Sequence, residues 1–213
     1  MFEFRKISIG FGGMNVLRDL SIQIRPGDRV GLTGGNGSGK STLINIATGF
    51  LIPQSGQILL DGKLLTGMPA WQYAREGIRR SFQSVRLLPN VPLQDQFKAE
   101  VHDIKTLRSL LQESTLAKYL NRFPSEIPLP IQRKAEVVRA LIANPRYLFL
   151  DEPCAGLTNS ELTAFAVFLS NHVPVDCGLI VVEHRRDLIN MIAKRLITLD
   201  SNTQGSQTSH ACN

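Results

Sequence analysis

Arg29-Val30-Gly31-Leu32-Thr33 reads as a short apolar strand, Gly34-Gly35-Asn36-Gly37-Ser38-Gly39-Lys40-Ser41 as a glycine-rich loop, and Ser41 to Ala47 as a helix that Gly49 can close. The loop fits G-x-x-x-x-G-K-[ST] in the strand-to-helix context that this pattern requires. Glycines let the backbone wrap a phosphate chain with successive N–H groups pointing inward, and the positive end of the helix dipole adds to the attraction. Lys40 is spaced to reach β- and γ-phosphates, Ser41 to place its hydroxyl on Mg²⁺, and Thr42 to meet the α-phosphate. A glycine turn that precedes a helix by chance has no need of a lysine and two hydroxyls at those offsets. The candidate nucleotide-binding residues are therefore Gly34, Gly35, Asn36, Gly37, Ser38, Gly39, Lys40, Ser41 and Thr42.

Two further apolar runs end in polar groups. Tyr147-Leu148-Phe149-Leu150 leads into Asp151-Glu152, and Leu179 to Val182 leads into Glu183-His184. Continuous apolar runs of this length are expected of strands buried on both faces of a parallel sheet. Carboxylates at such a strand end, beside a phosphate loop, suit Asp151 to a metal reached through water and Glu152 to the general base that polarises an attacking water. Taken alone, His184 reads equally well as a surface histidine; at the end of a core strand on the nucleotide edge it becomes a candidate γ-phosphate contact.

The rest of the chain supplies a setting. Phe2 to Ile9 and Leu20 to Ile24 alternate as strands, and Ile58-Leu59-Leu60 runs into the turn Asp61-Gly62. Ala70 to Ile78, Ile104 to Leu111, Ile131 to Ala143, Ser160 to Ser170 and Arg186 to Ala193 carry apolar residues at helical spacing. Phe123 to Pro130 is proline-rich, and the polar stretch 201–213 is expected to be disordered. The pattern is α/β, with an antiparallel start and a parallel-sheet core. The 213 residues suit one compact domain, and no apolar run approaches the ~20 residues of a membrane helix. The first residues lack the continuous apolar segment of a secretory signal, which leads to the expectation of a cytosolic protein. Cys154, Cys177 and Cys212 form no Cys-x-x-Cys pair, so reduced thiols are expected rather than a disulfide framework or zinc site. The formal charge of +6 comes from scattered pairs such as Arg79-Arg80 and Arg185-Arg186, without a basic stripe, and no nucleic-acid partner is expected.

The phosphate loop, Gln83 in Ser81-Phe82-Gln83, the strand ending in Asp151-Glu152-Pro153, Ala155-Gly156-Leu157 and His184 follow in an order and spacing that resemble ABC-transporter ATP-binding subunits. Phe11-Gly12-Gly13, Ile46-Ala47-Thr48-Gly49-Phe50, Gly77 to Gln83, Val85-Arg86-Leu87 and Val182-Glu183-His184 look like the branched-chain amino acid importer group. The resemblance runs from about Phe2 to Asp200. It implies a P-loop NTPase of ABC ATPase type over 1–200, with an antiparallel β subdomain near the N-terminus and a reduced helical subdomain over 84–129. It further implies MgATP binding and hydrolysis coupled to transport through separate permease subunits, at the inner face of the cell membrane, with amino acids as the cargo. Position by position, Phe11 resembles the aromatic that stacks on adenine, with a core-packed phenylalanine as the alternative. Gln83 resembles the glutamine that touches Mg²⁺ and the attacking water, so the metal set implied is Ser41, Gln83 and Asp151, and the hydrolytic set Glu152, His184 and Gln83. The segment from Ser84 to Phe97 resembles the surface that receives a short helix of the membrane subunit, and Leu157 and Thr158 fall in a loop that crosses the dimer interface.

One departure is large. Counting back from Gln132-Arg133-Lys134, the family's Leu-Ser-Gly-Gly-Gln signature falls on Ile127-Pro128-Leu129-Pro130-Ile131. In the family this pentapeptide grips the γ-phosphate bound to the opposite subunit with a serine hydroxyl and N–H groups at a helix N-terminus. Proline has no N–H, and Leu129 puts a side chain where close approach favours glycine. The prolines equally suit an ordinary helix start. The expectation is a heterodimer with a second ATP-binding subunit in which one of two sites is competent. A non-transport ATPase of the same type, or an ATP-binding switch with little hydrolysis, are the other readings.

Overall fold

The computed structural model describes residues 1–101 and 103–200 and the backbone of Ser209–Ala211. A four-stranded antiparallel sheet, ordered β2-β1-β4-β5, is built from β1 (Phe2–Phe11), β2 (Met14–Ile24), β4 (Ser55–Leu60) and β5 (Lys63–Leu64). The second sheet is ordered β10-β9-β3-β8-β7-β6, from β3 (Arg29–Gly34), β6 (Ile78–Arg80), β7 (Tyr147–Asp151), β8 (Gly178–Val182), β9 (Arg195–Leu199) and β10 (Ser209–Ala211). Its strands β9, β3, β8, β7 and β6 are parallel, while β10 pairs antiparallel with β9. The rest of the stretch expected to be disordered, 201–208 and 212–213, lies outside the described residues, as does Cys212.

The continuous apolar strands are explained by two cores, one on each face of the parallel sheet. Tyr147 and Phe149 of β7 and Ile180 and Val182 of β8 face the antiparallel sheet and α1 (Lys40–Ala47), against Phe2, Phe4, Leu43 and Ile44. The alternate residues Leu148, Leu150, Leu179 and Val181 face the opposite core. There they meet α5 (Leu129–Ile142), α6 (Asn159–His172) and α7 (Arg186–Ile192). Each buried side chain of this size contributes on the order of 2 kcal/mol, which leaves no strand face free to tolerate a charge.

The second core extends into the helical region through Leu87, Leu93, Phe97, Leu110 and Leu116. That region holds α3 (Leu93–Lys98), α4 (Ile104–Glu113) and two 3-10 turns, Leu116–Tyr119 and Pro124–Glu126. The helix expected over Ala70 to Ile78 is shorter. Helix α2 (Ala70–Arg75) ends before Gly77, whose φ of 83° is left-handed, and Ile78 instead opens β6. A Cβ at Gly77 would also lie 2.8 Å from the Arg146 side chain, so the turn that ends the helix requires glycine. Both Cys154 and Cys177 are buried free thiols, and burial pushes each up to about 12.

Candidate active site

Four strands of the parallel sheet end at one edge, and their register sets the site. Asp151 on β7 is level with Val182 on β8, so Glu152 and His184 leave the sheet side by side. Arg80 on β6 is level with Phe149, so three residues further on Gln83 comes level with Glu152. Strand β3, on the other side of β8, delivers the glycine-rich loop to the same edge. This is the carboxyl edge at which open α/β sheets bind ligands.

The loop conforms to its glycines. Gly34 has φ 148° and a Cβ there would lie 2.3 Å from the Leu199 carbonyl oxygen, and Gly39, at φ 93°, caps α1 with no side chain in the way of its N–H groups. Lys40 is buried, and its Nζ donates to the Gly34 and Gly35 carbonyls at 2.8 Å each, which holds the ammonium over the cradle. A cavity of about 360 Å³ opens here, lined by Val16, Asn36, Gly37, Ser38, Gly39, Lys40, Ser41, Thr42, Gln83, Glu152 and His184. A nucleoside triphosphate chain fits such a volume.

At the far wall, Glu152 is bracketed. His184 Nε2 lies 3.2 Å from Glu152 Oε1, and Gln83 Nε2 lies 3.4 Å from Oε2. The Glu152 backbone is left-handed at φ 48°, a costly state for a side-chain-bearing residue. Three contacts fix it: its N–H donates to the Val182 carbonyl at 3.0 Å, and its own carbonyl accepts from Arg133 Nη1 at 3.2 Å and from the Ala155 N–H at 3.3 Å. The result turns the carboxylate out of the sheet edge and into the cavity. The next strand end is organised by Glu183, a buried residue whose carboxylate accepts from the N–H groups of Cys154 at 3.2 Å and His184 at 2.9 Å.

Asp151 is buried, and burial pushes its carboxyl above the usual range against the pull of Arg80, Ser41 and Lys40. Arg80 Nη2 stands 3.8 Å from Oδ2, while Oδ1 makes no bond of hydrogen-bond length in the described structure. An under-satisfied carboxylate oxygen beside the Ser41 hydroxyl is suited to a hard cation such as Mg²⁺. Among the described residues no three His, Cys, Asp or Glu cluster as a self-sufficient metal cage. Arg80 is itself lowered to about 10, chiefly by burial, and also donates to Asn45 Oδ1 at 2.7 Å.

Phe11 stands apart. It is 51% exposed at the β1–β2 hairpin opposite Met14, which excludes the core-packed alternative, and it is not among the cavity-lining side chains. Val16, one of the residues the sequence did not single out, reaches the cavity instead; Arg133, Glu136 and Glu183 are others. A charged residue inside the apolar run Ala135-Glu136-Val137-Val138 was the signal available for one of them.

Helix α5 opens as its prolines dictate. Pro128 is the N-cap with φ −55° and ψ 142°, Pro130 occupies the first turn, and the Ile131 and Gln132 N–H groups both point back to the Pro128 carbonyl, at 2.9 and 3.0 Å. Of the backbone N–H groups over 128–132, Leu129 alone has no such intrahelical partner, and its side chain is 53% exposed.

A family model described as ABC transporter matches residues 17–155, a span that holds the phosphate loop, Gln83, α5 and the Asp151-Glu152 strand end. The high-affinity branched-chain amino acid transport ATP-binding protein LivG of Escherichia coli K12 is 30% identical, over 91% of this chain and 85% of that protein. The spermidine/putrescine import ATP-binding protein PotA of Nitrosospira multiformis is 30% identical over 94% of this chain and 57% of that one. A solved dimeric structure of the ATP-binding cassette MJ0796, bound to ADP and Pi, shares the fold with a TM-score of 0.85 over 100% of this chain and 99% of that chain, at 19% identity. The chain belongs to the ABC transporter family, as an ATP-binding subunit with ATP hydrolase activity.

Proposed function

We propose that this subunit binds MgATP at the β3–α1 loop and hydrolyses it to drive import of branched-chain amino acids through separate membrane permeases. The observation that carries the reading is the convergence of Lys40, Gln83, Glu152 and His184 on one cavity at the carboxyl edge of the sheet. The cargo follows the likeness to LivG; PotA, matched at the same identity, is named for polyamines, so cargo rests on the longer shared length. Among the described residues no helix is long and apolar enough to cross a membrane, which supports a partner that does so. The working location is then the inner face of the membrane, with 84–97 as the surface offered to the permease.

In this reading the N–H groups of 35–40 and the Lys40 ammonium hold the phosphates, Thr42 meets the α-phosphate, and Phe11 stacks on adenine at the hairpin tip. Mg²⁺, held by Ser41, Gln83 and Asp151, supplies neutralisation of charge on the β- and γ-phosphates. Glu152 accepts a proton from the attacking water, Gln83 orients that water, and His184 contacts the γ-phosphate. Titration with MgATP tests these roles: Lys40→Ala should weaken binding, whereas Glu152→Gln should keep binding and stop turnover. Equal loss of affinity in both variants would defeat the assignment.

The proline-capped α5 favours a second feature, a heterodimer. Head-to-tail pairing would complete each site with the partner's α5 N-terminus. Losing one preorganised donor to developing negative charge costs ~3–4 kcal/mol, and several are missing here, so two copies of this chain would form two damaged sites. A partner with an intact glycine-rich signature would complete the site on Lys40 and Glu152 and leave its own ATP facing Pro128 and Pro130, held without turnover.

A further inference from the structure

Glu136 is 1% exposed on α5, where burial pushes its carboxyl up against the pull of the Phe82 and Arg86 N–H groups, Arg139 and Arg80. Its two oxygens are spent on a single loop: Oε2 accepts the Phe82 N–H at 3.1 Å and Oε1 accepts the Arg86 N–H at 3.0 Å. These bonds bracket Gln83, Ser84 and Val85. No backbone-to-backbone hydrogen bond anchors residues 82–87 in the described structure; the carboxylate holds an N–H at each end of the loop, beside the Arg139 contact to the Arg86 carbonyl at 3.4 Å and the packing of Phe82 on Phe50. A buried carboxylate is costly, and an apolar residue of similar volume would commonly be as stable there or more so. Charge-assisted bonds to two N–H groups offset that cost and define the loop geometry.

One turn earlier on the same face of α5, Arg133 donates to the Glu152 carbonyl at 3.2 Å. A single helix face thus holds the backbone of the carboxylate-bearing strand end and of the loop whose Gln83 Nε2 sits 3.4 Å from Glu152 Oε2. We propose that Glu136 is a positioning residue that clamps the Phe82–Arg86 loop and so holds Gln83 beside Glu152. The proposal rests on the reading of Gln83 and Glu152 as hydrolytic residues.

Glu136→Gln tests it, because volume is kept while one of the two N–H groups now confronts an amide NH₂. In the full chain, hydrogen–deuterium exchange at 82–86 should rise by about tenfold or more, the loss of one charge-assisted bond. The Tm should change little, because relief of a buried charge offsets the bond lost, and MgATP affinity should be kept. In the hydrolysing assembly kcat should fall by about tenfold with KM little changed. Unchanged exchange at 82–86, an unchanged kcat, or exchange rising throughout α5 with a fall in Tm would each overturn the proposal. Gln83→Ala, run alongside, separates the two readings: normal turnover in that variant would remove Gln83 from catalysis, while exchange in Glu136→Gln would still report whether the clamp exists.

Discussion

Two helices of this chain begin at positions where the family handles phosphate, and they begin in opposite ways. Helix α1 is entered through Gly37 and Gly39, both at positive φ, with the Gly39 N-cap leaving its first N–H groups open to the cavity. Helix α5 is entered through Pro128 and Pro130, which carry no N–H, and the N–H groups of Ile131 and Gln132 turn back on the Pro128 carbonyl, which leaves that of Leu129 alone. Both are sound helix starts, and the dipole is present at each. The difference is in donors and access: a dipole with one unpaired N–H, at Leu129 behind its own exposed side chain, cannot cradle a phosphate. The chain keeps the half of a nucleotide site that binds and lacks the half that reaches across.

The largest effect expected from this contrast is at Glu152. Glu152→Gln should lower turnover of the assembled transporter by at least about a hundredfold, as for loss of a general base, with ATP affinity retained; steady-state ATPase and nucleotide titration check it. Lys40→Ala should follow, weakening MgATP binding by roughly tenfold or more through loss of a charge-assisted phosphate contact. Such a loss at α1 has no counterpart at α5, where Pro130→Ala should leave this chain's own ATP affinity unchanged in the same titration. Phe11→Ala should cost on the order of 1 kcal/mol of ATP affinity, about fivefold, with little change in Tm, since the ring is half exposed. Unchanged affinity per folded molecule would remove Phe11 from the adenine site.

Local chemistry was legible and long-range chemistry was not. The loop over Gly34 to Ser41 declares itself because glycine, lysine and hydroxyl must be contiguous in sequence to share one cradle. The strands at Tyr147 and Leu179 are readable because burial on both faces removes all polar residues. By contrast, β6 spans only Ile78 to Arg80, with two arginines, and carries no strand signal of its own; pairing with β7 makes it a strand. Strand β9, over Arg195 to Leu199, is similarly short and goes unread beside α7. Glu136, Arg133 and Glu183 act on backbone groups 50, 19 and 29 residues away, and no periodicity encodes such partners. Phe11 shows the converse: its neighbourhood was readable, but its exposure came only from the hairpin that carries it.

Steady-state ATPase of the purified chain alone, compared with Pro128→Ser/Leu129→Gly/Pro130→Gly/Ile131→Gln, tests the contrast between the two helix starts most directly. Glycines inside the first turn of α5 should lower stability by about 1 kcal/mol each, so both proteins are compared below their Tm. The account predicts that the unaltered chain hydrolyses no faster than its Glu152→Gln variant, and that the altered chain gains hydrolysis that rises cooperatively with protein concentration. Robust, cooperative hydrolysis by the unaltered chain would contradict it, because another segment would then be supplying the missing grip.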